Sequence, residues 1–95
     1  MYENHIFLDF EMNPIPREFR EAREIARAEI VEIGAVKLDR DYRLVDRYSQ
    51  FVKPEYGPIQ THITRLTGIT DADVAGALPF APAMEAFGDW IGPGR

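Results

Sequence analysis

Asp9 and Glu11 have the residue types and spacing best suited to chemistry in this sequence, standing two apart in the run Ile6-Phe7-Leu8-Asp9-Phe10-Glu11. Along an extended strand, residues i and i+2 share a face with their backbones about 7 Å apart, so the two carboxylates project together. Anions at the end of an apolar strand repel one another and lose hydration, a penalty that a divalent cation with oxygen ligands relieves. The plainer alternative is the solvated end of a half-exposed strand. Acid-x-acid spacing recurs in Asp39-Arg40-Asp41 and Asp71-Ala72-Asp73, but at a turn and a helix start, where acids are ordinary. Only Asp9 and Glu11 interrupt a stretch that otherwise reads as core.

Other chemistries find little support. His5 and His62 are the only histidines, and neither has a ligand spacing to the other or to the two acids, so there is no zinc signature. His5 reads as a strand-start surface residue and His62 as a helix-surface one. The glycines do not assemble into a phosphate loop, and no nucleophile has a neighbouring base. Arg20, Arg23 and Arg27 fall on one side of a helical wheel with Arg17 nearby. They read as phosphate contacts or, more simply, as a solvated face with Arg17–Glu21 and Arg20–Glu24 pairs. The net charge of −5 gives no bulk support to polynucleotide binding, which must then come from a local site where bound cations reverse the field. With no cysteine and no apolar run long enough to span a membrane, the chain reads as a soluble, cytoplasmic protein.

The elements that position these residues follow from periodicity. Asn4–Glu11 alternates as a strand, and Met12-Asn13-Pro14-Ile15-Pro16 ends it because prolines supply no ladder donors. Arg17–Ala28 is rich in helix formers. Glu29–Leu38 and Leu44–Lys53 read as strands, and the short polar link between them favours an antiparallel hairpin. Ile59–Leu66 is a brief helix stopped at Gly68, and Thr70-Asp71-Ala72-Asp73 has the form of a capping box. Phe80, Ala83, Met84, Phe87, Trp90 and Ile91 make a helical stripe, with Gly92-Pro93 as its stop. The sum is an α/β pattern with helices on one face of a three-stranded meander. With 95 residues it buries only roughly 60 to 65% of its unfolded surface, so stability is marginal.

Four blocks, Phe7-Leu8-Asp9-Phe10-Glu11-Met12, Glu29-Ile30-Val31-Glu32-Ile33-Gly34-Ala35-Val36, Phe51-Val52-Lys53-Pro54 and Leu66-Thr67-Gly68-Ile69-Thr70, together resemble the DEDD, DnaQ-like 3′ to 5′ exonucleases in order and spacing. The resemblance implies a ribonuclease H-like mixed sheet in which Asp9 and Glu11 are catalytic residues and ligands of two Mg²⁺ or Mn²⁺ ions. Those ions would activate a water and stabilise the leaving 3′ oxygen. Phe10 and Met12 would touch the terminal nucleotide through backbone and side chain, and Leu66, Thr67 and Ile69 would pack against its base and sugar. The partner implied is the 3′ end of single-stranded RNA or DNA.

The family's later acidic motifs and its general base normally follow the last helix. Residues 1–95 are therefore expected to be the N-terminal part of a single exonuclease domain, cut before the later parallel strands and inactive alone. The rival expectation is a catalytically dead interaction module, or a subunit whose sheet is completed by self-association or by a second chain.

Overall fold

The computed structural model describes residues 4–92; Pro93, part of the expected stop after the last helix, lies outside them. Three strands, β1 (His5–Pro14), β2 (Ala28–Leu38) and β3 (Leu44–Phe51), form an antiparallel sheet in the order β1-β2-β3. Around it run α1 (Arg20–Ile25), α2 (Thr61–Thr67), α3 (Asp71–Val74) and α4 (Phe80–Ile91). The radius of gyration, 15.1 Å, exceeds the about 12 Å of a compact domain of this length. No helix among the described residues is long and apolar enough to cross a membrane.

The first strand runs three residues further than its prolines suggest. Pro14 pairs with Ala28, and the ladder continues as the Ile15 amide donates to the Arg27 carbonyl at 2.8 Å. Proline is tolerated because β1 is an edge strand among the described residues, so the missing donor lies on the unpaired side. The same pairing shortens α1. Ala26 is already extended and β2 starts at Ala28, so sheet formation overrides the helix propensity of residues 26–28.

The β2–β3 hairpin turns on Asp39, whose carboxylate accepts from the amides of Asp41 (2.8 Å) and Arg43 (3.0 Å) while its carbonyl accepts from Tyr42 (2.9 Å). Tyr42 takes a left-handed φ of 61° and stacks its ring on His5 at 4.5 Å.

Helices cover both faces of the sheet, not one, because successive strand residues face opposite ways. Phe51 and Val52 are adjacent yet serve different cores. One core joins Ile33, Ala35 and Val52 to Ala83 and Phe87 of α4. The other joins Val31 to Ile59, Ile69 and Val74 around α2 and α3. Val31 and Ile33 part company because of a bulge: Glu11 pairs with Glu32 and Met12 with Ile30, so Val31 has no partner in β1. The capping box is present as expected, with Asp73 N–H donating to Thr70 Oγ1 (3.3 Å) and Thr70 N–H to the Asp73 carboxylate (2.9 Å). Gly68, at φ 81°, ends α2 in the left-handed conformation that glycine adopts without strain.

The far end of α4 is latched to the hairpin. Trp90 Nε1 donates to Asp46 Oδ2 at 2.8 Å, and Lys37 Nζ donates to the Trp90 carbonyl at 3.0 Å while lying 4.6 Å from its ring centroid. The Trp90 hydrogen bond, then the Arg47 amide and the Lys37 charge, lower the Asp46 pKa below the ordinary 3.8. A depressed carboxylate contributes stability that is present above the unfolded value and is lost as pH falls through the lower folded value. Asp46→Asn is therefore expected to lower the melting temperature at neutral pH and to narrow its drop below pH 3.8, as thermal melts across that range would show.

Candidate active site

Strand alternation puts Asp9 and Glu11 on one face of β1, as their spacing predicts. Across the sheet, Asp9 stands beside Gly34 and then Ser49, and Glu11 beside Glu32 and then Phe51. Since Phe51 belongs to the core around α2 and α3, the carboxylates share the face those helices cover in part. Asp9 is exposed and Glu11 half-buried, and neither side chain hydrogen-bonds another described residue.

Two neighbours escaped the sequence reading because register is invisible before pairing. Glu32 faces Glu11 directly, a like-charge pair that destabilises a sheet, and Ser49 Oγ donates to its Oε2 at 3.3 Å. Gly34 faces Asp9. A Cβ there would meet only the Asp9 carbonyl oxygen, at 3.6 Å, so the missing side chain leaves a shallow hollow of about 250 Å³ between Phe7, Asp9 and Val36.

The expected nucleotide contacts divide. Phe10 pairs with Ile33, which faces α4, so its side chain lies on the face opposite the carboxylates. Met12 alternates to that same side and lines an apolar groove of about 410 Å³ with Ile15, Ala22, Ile30 and Phe80. Only the backbones of Phe10 and Met12 border the carboxylate face, which corrects the expectation of side-chain contact.

Helix α2 lies against β1. Leu66 on it is 79% exposed and free to meet a ligand. Thr67 is half-buried, its Oγ1 donating to the Ile63 carbonyl (2.8 Å) and accepting from the Ile69 amide (3.1 Å). Ile69 is 3% exposed within the α2–α3 core, so its side chain supports the segment from beneath and offers no surface to a ligand.

The arginine stripe also breaks up. Arg27 lies beyond α1, and Arg23 is half-buried with a guanidinium N–H donated to the Ile15 carbonyl at 2.9 Å.

Hard carboxylate oxygens suit Mg²⁺ or Mn²⁺ better than softer ions, and an unbonded pair on one face fits such an ion. No group of three or more His, Cys, Asp or Glu side chains is placed to hold a metal among the described residues.

Comparison with known proteins bears on the family and the fold. The chain is 47% identical over 49 residues to a PolC-type DNA polymerase III of Caldanaerobacter subterraneus, covering 52% of this chain and 3% of the polymerase. It is 34% identical over 59 residues to the PolC-type polymerase of Streptococcus thermophilus, covering 62% of this chain and 4% of that one. Among solved structures, a full-length 3′-exonuclease superposes with a TM-score of 0.77 at 27% identity, covering 95% of this chain and 29% of that one. A 3′-exonuclease solved for its 3′-end-specific recognition of a histone mRNA stem-loop superposes at 0.75 and 27% identity, covering 95% of this chain and 39% of that one. Cell-death related nuclease 4, at 20% identity and a TM-score of 0.76, shares the fold over 95% of this chain and 30% of its own. The sequence pattern of the RNase T family, described as an exonuclease, matches residues 6–95. The resemblance and the ribonuclease H-like fold expected from the four sequence blocks are therefore borne out, and this chain belongs to the RNase T exonuclease family.

Proposed function

We propose that this chain forms part of a 3′ to 5′ exonuclease that hydrolyses single-stranded RNA or DNA from its 3′ end with the help of two Mg²⁺ or Mn²⁺ ions. The observation that carries this reading is the pair Asp9 and Glu11, bonded to no other described residue and crowded by Glu32, on the sheet face that α2 borders. Carboxylates that share one face repel until a cation screens them, so ion binding is favoured there. When bound, such ions polarise the scissile phosphate and raise the acidity of the attacking water.

Asp9 and Glu11 would hold the ions in place. Leu66 would give the terminal base an apolar contact indifferent to its identity, and the β1 backbone at Phe10 and Met12 would border the sugar. The comparison with a 3′-exonuclease that reads an RNA 3′ end supports a substrate with a free 3′ terminus. Two carboxylates supply few of an ion's ligands, so residues 1–95 alone should bind cations weakly and turn over little substrate.

The complete gene product, given single-stranded oligonucleotides labelled at the 5′ end with Mg²⁺ or Mn²⁺, should shorten them one nucleotide at a time from the 3′ end. Chelation should stop the reaction. Internal cuts, or product formation that survives chelation, would overturn the reading.

A further inference from the structure

We infer that Asn13 is a positioning residue that fixes the nucleotide-contacting helix α2 against the strand bearing Asp9 and Glu11; the inference rests on the exonuclease reading. Asn13 is 1% exposed, the one buried polar side chain among the described residues. It stands two residues beyond Glu11, on the same face of β1. Its side-chain amide is used at both ends: Nδ2 donates to the Pro58 carbonyl at 3.0 Å, and Oδ1 accepts from the Gln60 amide at 2.8 Å. These are the residues on either side of Ile59, just before α2 begins at Thr61. Gln60 adds a second tie, its Nε2 donating to the Pro14 carbonyl at 3.2 Å.

An apolar residue at position 13 would fill the same space but leave the partly buried Pro58 carbonyl and Gln60 amide without these partners. The Asn13 side chain acts there as a neighbouring strand's peptide group would, with one donor and one acceptor aimed at a chain that no strand pairs. Its effect, together with the Gln60 Nε2 bond to the Pro14 carbonyl, is to set the distance between the carboxylates and the segment carrying Leu66. Catalytic geometry tolerates little displacement, so a link of this kind matters more to ligand binding than to the ion held by Asp9 and Glu11.

The test uses the complete gene product, with Mn²⁺ and then adenosine 5′-monophosphate in the presence of Mn²⁺ as probes, both followed by calorimetry. Two variants sever the link from opposite sides. Asn13→Ala removes the side chain, and Gln60→Pro removes the bonded N–H at a residue whose φ of −71° proline adopts. Each variant is expected to keep its Mn²⁺ affinity within about twofold and to weaken nucleotide binding about tenfold, the lower end of what supporting-residue changes produce. Leu66→Ala should weaken nucleotide binding about fivefold in the parent protein but have little effect in either severed background, since coupled residues are not additive.

A residue that merely stabilised the fold would lower the melting temperature while leaving nucleotide affinity and the Leu66 effect intact, and that result overturns the inference. Equal losses of Mn²⁺ and nucleotide affinity overturn it as well. If the parent protein itself binds neither probe, the exonuclease reading falls and takes the inference with it; if the parent binds both and the variants match it, the Asn13 inference alone falls.

Discussion

Asp9→Ala is expected to abolish divalent-cation binding and, in the complete gene product, to cut nucleotide release by about 10³-fold, because metal-ion stabilisation contributes several kcal/mol to such barriers. The exposure of Asp9 and its lack of hydrogen bonds to described residues separate this outcome from unfolding. Removing one carboxylate from a face that also carries Glu11 and Glu32 relieves repulsion in the metal-free protein. The metal-free variant should accordingly melt at the same temperature as the parent or slightly above it. Glu11→Gln keeps the side chain's shape, removes its charge and should lose cation binding in the same way. Calorimetric titration with Mn²⁺, melts without metal and a 3′-end release assay together check the result. An Asp9→Ala protein that retained full activity would remove the carboxylate pair from the mechanism.

Phe87→Ala is the substitution expected to damage the fold most. Phe87 is 4% exposed, meets Ile33, Ala35, Val52 and Ala83 in the α4 core, and has ring neighbours in Tyr48 at 5.3 Å and Trp90 at 6.1 Å. Truncating a buried phenylalanine costs about 3–5 kcal/mol through lost burial and the cavity left behind. Small domains have total stabilities near the lower end of about 5–15 kcal/mol, so the variant should be largely unfolded or lose most of its urea midpoint. The Trp90–Asp46 latch would lose the ring that packs beside Trp90. A change under about 1 kcal/mol in urea unfolding would show that α4 contributes little to the core.

Local patterns were legible wherever one residue's neighbours in sequence decide its fate. The alternation of Ile6 to Glu11, the stripe from Phe80 to Ile91, the stop at Gly68 and the Thr70–Asp73 box each depend on a few adjacent positions. Features set by pairing between distant segments were not legible. Pro14 remains in β1 because that strand is an edge, and α1 yields residues 26–28 because Ala28 has a partner in Pro14. The crowding of Glu32 against Glu11 and the gap at Gly34 appear only once register is known. Ile69 belongs to a motif that suggested ligand contact, yet a β-branched apolar side chain next to a buried core finds more area inward than outward. Asn13 falls in the run Met12 to Pro16 that ends the strand in sequence, and only the arrival of Pro58 and Gln60 shows why an amide stands there.

The bulge at Val31 makes β2 answerable to two hydrophobic interiors at once. Were the strand to slip by a single position, Ile33 and Ala35 would turn from the α4 core toward the α2 side and Val31 from the α2 core toward the α4 side, each into a core filled for other residues. The same slip would carry Glu32 and Gly34 out of line with Glu11 and Asp9. Alignment of the charged cluster is thus guarded by oily side chains, while Asp9 and Glu11 remain unbonded to any other described residue.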